Sequence, residues 1–395
     1  MKLFAILLGC SLACACADSA AEIPVGTTFE VRLSTPVSTA ASRVKDKVEA
    51  ILIAPLELPE RIAIPAGAVL TGTVTAVGPP SDTVNASLKL EFTQLGPFKI
   101  FARVFDIDNS RETVDQTGTV EGISPKNTIT GRMDQGLGKL NNSRLAGLAQ
   151  LLETAKSLLL KNADPNIEYA AGTELTLRLL QPLTLKETAA TPYPQPVSDN
   201  GHLAEMVLNQ LFQTYAAHPP RPSDVTNLIF IGTLDRIREA FEQAGWVGAE
   251  SLSRLSKWET ARAVLEQRGY KEAPVSIILL DAHPPDLVLQ KANNTFSARH
   301  HLRIWHSPDT YRGQQVWLCG ATHDIGIDYS DRDMTFIHKI DSNIDLERRK
   351  VSNDLLLTGK VHGLSLIARP TVPTNFRNAT GDDVNTDGRI AVLQF

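Results

Sequence analysis

Three segments in the first half of the chain share one rhythm: residues 24–33 (PVGTTFEVRL), 65–74 (PAGAVLTGTV) and 170–179 (AAGTELTLRL). Each sets a glycine ahead of alternating apolar and polar residues, the pattern of a tight turn feeding a strand with two unlike faces. Similar alternation at 47–56, 86–95 and 98–107 makes the region 22–186 mainly β, closing as a barrel or a sandwich. Within it, Leu145, Leu148, Ala149, Leu152, Ala155 and Leu159 recur at helical spacing and predict one amphipathic helix over 143–161.

Periodicity stops at 187–200, where Pro192, Pro194 and Pro196 mark a semi-extended linker. Beyond it the pattern mixes periods. Helices are predicted around Glu205 to Tyr215, over 234–245 with Gly245 as terminator, over 258–269, and from Asp345 to Leu357. Strands are predicted at 227–232, 275–281, 286–292, 299–305, 316–327, 336–340 and 389–395. This order gives residues 201–395 an α+β architecture on a largely antiparallel sheet, so the whole chain reads as an α+β protein of two domains.

Residues 227–246 (NLIFIGTLDRIREAFEQAGW), 286–305 (DLVLQKANNTFSARHHLRIW) and 337–356 (IHKIDSNIDLERRKVSNDLL) resemble the LssY C-terminal domain family over about 201–395. The Arg-His-His-x-x-x-Trp string and the string from His338 to Arg348 carry most of the likeness. The family takes its name from a secretion-associated locus, so the resemblance implies a role at the cell envelope. In the first half, IPVGT and IPAGAVLTGTV also resemble the β domains of bacterial envelope and conjugation proteins.

The first 21 residues combine Lys2, an apolar run and small residues before Glu22, the composition of an export signal. Cys14 or Cys16 offers an alternative lipid anchor. Cleavage after Ala17 or Ala21 leaves Cys319 as the one remaining thiol, which rules out an internal disulfide. No apolar run past the signal approaches the ~18 residues of a membrane span. With 39 basic against 44 acidic residues and no long run of either sign, nothing resembles a nucleic-acid stripe. These features predict an exported protein of the periplasm or envelope whose partner is an envelope protein or a small ligand.

Phasing the strands by two puts His300 with Leu302 and Ile304, His323 with Trp317, Cys319 and Ile325, and His338 with Phe336 and Ile340. Three imidazoles converging from neighbouring strands would suit zinc or a similar divalent ion and an activated water, with Asp324, Asp341 or Asp345 as orienting group or base. That is the route to a metal-assisted hydrolase. Core histidines bonded to backbone, and an anion-binding face of Arg299, His301 and Arg303, are the alternatives. A binding or assembly role is the leading expectation, because the usual nucleophile and phosphate-loop motifs are missing from the sequence.

The run Asp383-x-Asn385-x-Asp387-Gly388 starts like a calcium loop, but its twelfth position is Gln394, where a bidentate carboxylate is needed. Related tails in the resembled family turn at Thr-Asp-Gly into a strand, so calcium is not expected here. Export itself has a direct check. The intact mass of envelope-derived protein should show loss of residues through Ala17 or Ala21; a full-length cytosolic chain would contradict export, and a diacylglycerol increment on Cys14 or Cys16 would identify a lipoprotein.

Overall fold

The computed structural model describes residues 21–395 apart from 59–60, 82–83, 108–111, 123–164, 186–194, 199–200, 217–219, 249–277, 292–298 and 331–334. The helices expected over 143–161 and 258–269 lie outside the described residues.

Six strands of the first, eight-stranded sheet form its closed part: β1 (Thr28–Leu33), β2 (Lys47–Leu52), β3 (Val69–Gly78), β4 (Ser87–Leu95), β5 (Phe98–Asp106) and β6 (Glu174–Leu179), while the short strands Thr113–Val114 and Thr119–Glu121 extend it from β4. Each pairs antiparallel with the next, and β6 returns to β1 with Leu177 opposite Phe29, so the sheet closes into an up-and-down barrel. Of the two closures the alternation allowed, the molecule adopts the barrel. Inward residues such as Val31, Ala50, Leu70, Leu90, Ala102 and Leu177 are buried together. Gly26, Gly67 and Gly172 have φ of +86°, +85° and +94°, which explains the recurring glycine ahead of a strand: side-chain-bearing residues rarely adopt that backbone.

The second sheet contains β7 (Leu228–Ile231), β8 (Trp246–Gly248), β9 (Leu287–Lys291), β10 (Arg299–Tyr311), β11 (Gln314–Ser330), β12 (Thr335–Ile340), β13 (Gly363–Ala368) and β14 (Arg389–Gln394). Its order is β8-β9-β10-β11-β7-β14-β13, with β12 alongside the far half of β11; β7–β14 is its parallel pair. The largely antiparallel sheet is therefore present. Strands greatly outnumber helical residues among those described, so the molecule is mostly β, and the α+β label holds only loosely. One difference from the sequence reading is local. Helix α1 covers only Leu203–Leu208, and Gln213–Ala216, expected to continue it, form a strand paired with Arg221–Val225 and Ile278–Leu280. Pairing partners distant in sequence override a short segment's helical periodicity.

Helix α2 (Leu234–Gln243) is capped by the Thr233 side chain and ends at Gly245, with φ of +83°. Helix α3 (Ile344–Leu357) starts at Asn343, whose side chain accepts from the Asp345 amide at 3.2 Å. Both pack on one sheet face, where Ile237, Phe241, Val351 and Leu355 join Phe230, Leu302, Ile304 and Trp317. The other face buries Ile229, Ile231, Trp305, Leu318 and Val392 under α1. Residues 195–198 of the expected linker lie along the outer edge of β13: Leu364 donates to the Gln195 carbonyl at 2.9 Å, and the Val197 amide donates to Ser365 Oγ at 3.0 Å. A Cβ on Gly363 would stand 3.0 Å from Val197 Cα, so a larger residue there would push the two segments apart by a few tenths of an ångström.

Barrel and second sheet meet through buried charges. Glu174 on β6 accepts from Arg32 at 2.8 Å, Lys291 at 3.0 Å and Lys350 at 2.8 Å. Asp354 on α3 faces the same three cations at 3.2, 2.7 and 2.8 Å and also accepts from Trp246 Nε1 at 2.9 Å. Burial pushes both carboxyls up, but the surrounding cations outweigh it and hold each below its usual range. Removing one partner leaves the others buried without compensation, so Asp354→Ala should cost about 3–5 kcal/mol in urea denaturation at pH 7. Because both carboxyls titrate lower in the folded chain, the stabilisation is present above about pH 4 and lost as pH falls further. A loss under 1 kcal/mol would mean that the cluster does not hold the two parts together.

Candidate functional site

A cleft of about 1140 Å³ runs between barrel and second sheet, with Thr28, Glu30 and Glu174 on one wall and His300, His323 and Glu347 on the other. Its chemistry follows from strand register. His300 on β10 stands directly opposite His323 on β11, and neighbours on a strand alternate faces, so both imidazoles point to the α3 side. Their rings stack with centroids 4.2 Å apart and planes 13° apart.

Helix α3 supplies Glu347 above this pair. Its Oε2 lies 2.8 Å from His300 Nδ1, and its side chain is only 3% exposed. Oε1 of the same carboxylate is buried and accepts no hydrogen bond from the described residues. One donor atom from each of His300, His323 and Glu347 falls within 4.8 Å of the other two. The set offers two imidazole nitrogens and one carboxylate oxygen, types that suit zinc and other divalent transition metals.

Glu30 of β1 shares the cleft; burial raises its pKa, with Lys350 and His300 acting against the rise and Glu174 adding to it. Glu347 was not singled out from sequence. A signal was available, since it is the glutamate within the His338-to-Arg348 string, on the helix face that also carries Val351 and Leu355.

His338 belongs to β12, where its backbone pairs with Ile327, four positions along β11 from His323. Its side chain lies outside the described residues. Asp324 is on the opposite sheet face from His323. It is buried against Arg299, whose Nε and Nη2 reach Oδ2 at 3.1 and 3.0 Å, and near His301 Nδ1 at 3.5 Å. His301 Nε2 also meets Thr322 Oγ1 at 3.0 Å.

Arg299, His301 and Arg303 are thus together but buried, with Asp324 already in the place an anion would take. Burial pulls Arg303 down to about 10 against the pull of Asp224 and Asp324. Asp341 does line the cleft, where its Oδ1 accepts from the Asn343 amide at 2.9 Å. Asp345 is committed elsewhere: Oδ1 accepts from Arg348 at 2.9 Å and Thr386 at 2.7 Å, and Oδ2 from the Asp387 amide at 2.7 Å.

The carboxylates of the 383–388 run are also committed. Asp387 receives both terminal nitrogens of Arg348 at 2.8 and 3.0 Å, and Asp383 pairs with Arg377 at 2.9 Å. Gly388, with φ of +73°, then turns the chain into β14. Cys319 is fully buried, and burial pushes its thiol well above the ordinary range.

Residues 210–390 match the family model described as LssY C-terminus. No curated protein sequence matches the chain. Among solved structures, ComB10 of the Com type IV secretion system of Helicobacter pylori aligns at 10% identity over 42% of this chain and 92% of that one, with a TM-score of 0.23.

Burial raises the Asp324 carboxyl to about 6, with Arg299 pulling the other way. A group raised on folding stabilises the fold below its unfolded pKa, and that contribution is lost as pH climbs through the folded value. From pH 4 to pH 7 the native chain should therefore lose up to about 3 kcal/mol relative to Asp324→Asn, mostly below pH 6. Denaturation curves at each pH test this; parallel profiles for the two proteins would contradict it.

Proposed function

We propose that this chain, whose residues 210–390 match the family model described as LssY C-terminus, is an exported, envelope-associated binding protein that takes its ligand in the cleft between that region and the barrel. The observation carrying this reading is the cleft itself. Its volume of about 1140 Å³ is enough for a small organic ligand, whose sites commonly measure about 300–1,000 Å³. Charges buried at the junction keep the two walls apart at fixed spacing, so the cavity belongs to the folded molecule and does not wait for a partner to form it. Polar groups from both walls, Thr28 and Glu30 facing His323 and Asp341, give it the few oriented contacts that set specificity. The signal-like composition of residues 1–21 supports an exported location.

A second reading, metal-assisted hydrolysis, is favoured by one observation, the His300, His323 and Glu347 donor set. Binding remains the reading that the cleft supports without further chemistry.

Protein recovered from its own envelope tests the proposal. Its native mass should exceed the polypeptide by an organic ligand that unfolding releases. Thr28→Trp and Leu346→Trp, two exposed cleft-lining positions on opposite walls, should together abolish the excess without moving the melting temperature. A native mass equal to the polypeptide, or a ligand that survives both substitutions, would overturn the cleft as binding site.

A further inference from the structure

The geometry points to a mononuclear divalent transition-metal site of the zinc class formed by His300, His323 and Glu347 in the wall of the cleft. It rests on the cleft reading for its route to solvent, and it adds to that reading an ion as the group that ligands or water would meet.

The first support is convergence from two elements. A cross-strand histidine pair presents two nitrogens on one face, and a helix passing over that face adds a carboxylate. Three donors already within 4.8 Å of one another need movements of only about 1 Å to reach the separation of roughly 3.3 Å set by tetrahedral bonds of about 2.0–2.1 Å. Rotation about side-chain bonds supplies that without moving the strands.

A second, independent support is the state of Glu347. A buried carboxylate normally has its oxygens occupied, because leaving an acceptor without a partner in the interior costs free energy. Among the described residues nothing donates to Oε1 of Glu347, yet the residue is 3% exposed. An ion at Oε1 would satisfy it while Oε2 keeps its contact with His300. Packing alone gives no reason to bury this group beside two stacked imidazoles; a leucine there would extend the apolar surface of Val351 and Leu355.

The donor chemistry also excludes the common hard cations. Calcium takes six to eight oxygen ligands and magnesium prefers oxygen with retained water, whereas two of the three donors here are imidazoles. With three protein ligands a zinc-class ion would keep a fourth position, and His323, the half-buried member, stands on the cleft side.

The test uses the mature chain, freed of any affinity tag, stripped with chelator and titrated with zinc by calorimetry. One ion per chain should bind, raise the melting temperature and resist competition by excess magnesium or calcium. His323→Phe preserves a stacked ring while removing its nitrogens, and should weaken zinc at least about tenfold with the fold intact by circular dichroism. Glu347→Gln should do the same. Absence of stoichiometric zinc binding by the native chain would overturn the inference, as would His323→Phe binding as tightly as native. The organic ligand is read separately: if it remains bound while zinc binding fails, the metal site falls and the cleft stands. If zinc binds but no organic ligand is found, the cleft reading falls and the metal site stands.

Discussion

Five charged side chains, three of them buried and two half-buried, where barrel and second sheet meet are the constraint on which the rest of the molecule depends. Arg32 and Glu174 come from the barrel; Lys291, Lys350 and Asp354 come from the other side. An apolar junction would tolerate sliding, since dispersion contacts are not directional. A set of charge-assisted hydrogen bonds fixes both distance and rotation, and breaking any one strands the others in a poor solvent. The cleft exists because the two parts are held at this one spacing.

Helix α3 pays for several roles at once. It buries Glu347, Arg348, Lys350 and Asp354 in a single stretch, a composition suited to neither a core helix nor a surface one. Each charge has a different destination: Glu347 turns to the histidine pair, Arg348 to Asp345 and Asp387, and Lys350 and Asp354 to the barrel. The helix is therefore the piece that couples the position of the barrel to the geometry of the candidate metal centre. A shift that loosened Lys350 from Glu174 would move Glu347, one helical turn away, relative to His300.

Strands were the legible part of the sequence, because alternation survives in residues 28–33, 69–78 and 174–179 whatever they pair with. The face shared by His300, Leu302 and Ile304 was legible for the same reason. Closure of the barrel was not, since a period of two is equally satisfied by a sandwich. Glu347 escaped because an acid on a helix reads as solvated until its neighbours are known. Arg299 read as part of an anion-binding face and Asp324 as an orienting group or base, whereas they pair with one another inside the opposite face. The helix expected through Tyr215 failed where long-range pairing outweighed local periodicity.

The proline-containing stretch over residues 195–198 does more than connect. A terminal strand such as β13 exposes unpaired amides and carbonyls, an invitation to intermolecular β-pairing. Gln195 and Val197 occupy part of that edge, and Pro196 between them has no amide proton with which to extend a ladder outward. The barrel solves the same problem by having no edge among its six strands. For a chain so rich in β structure, this short segment acts as a guard against aggregation, and its proline content serves solubility as well as reach.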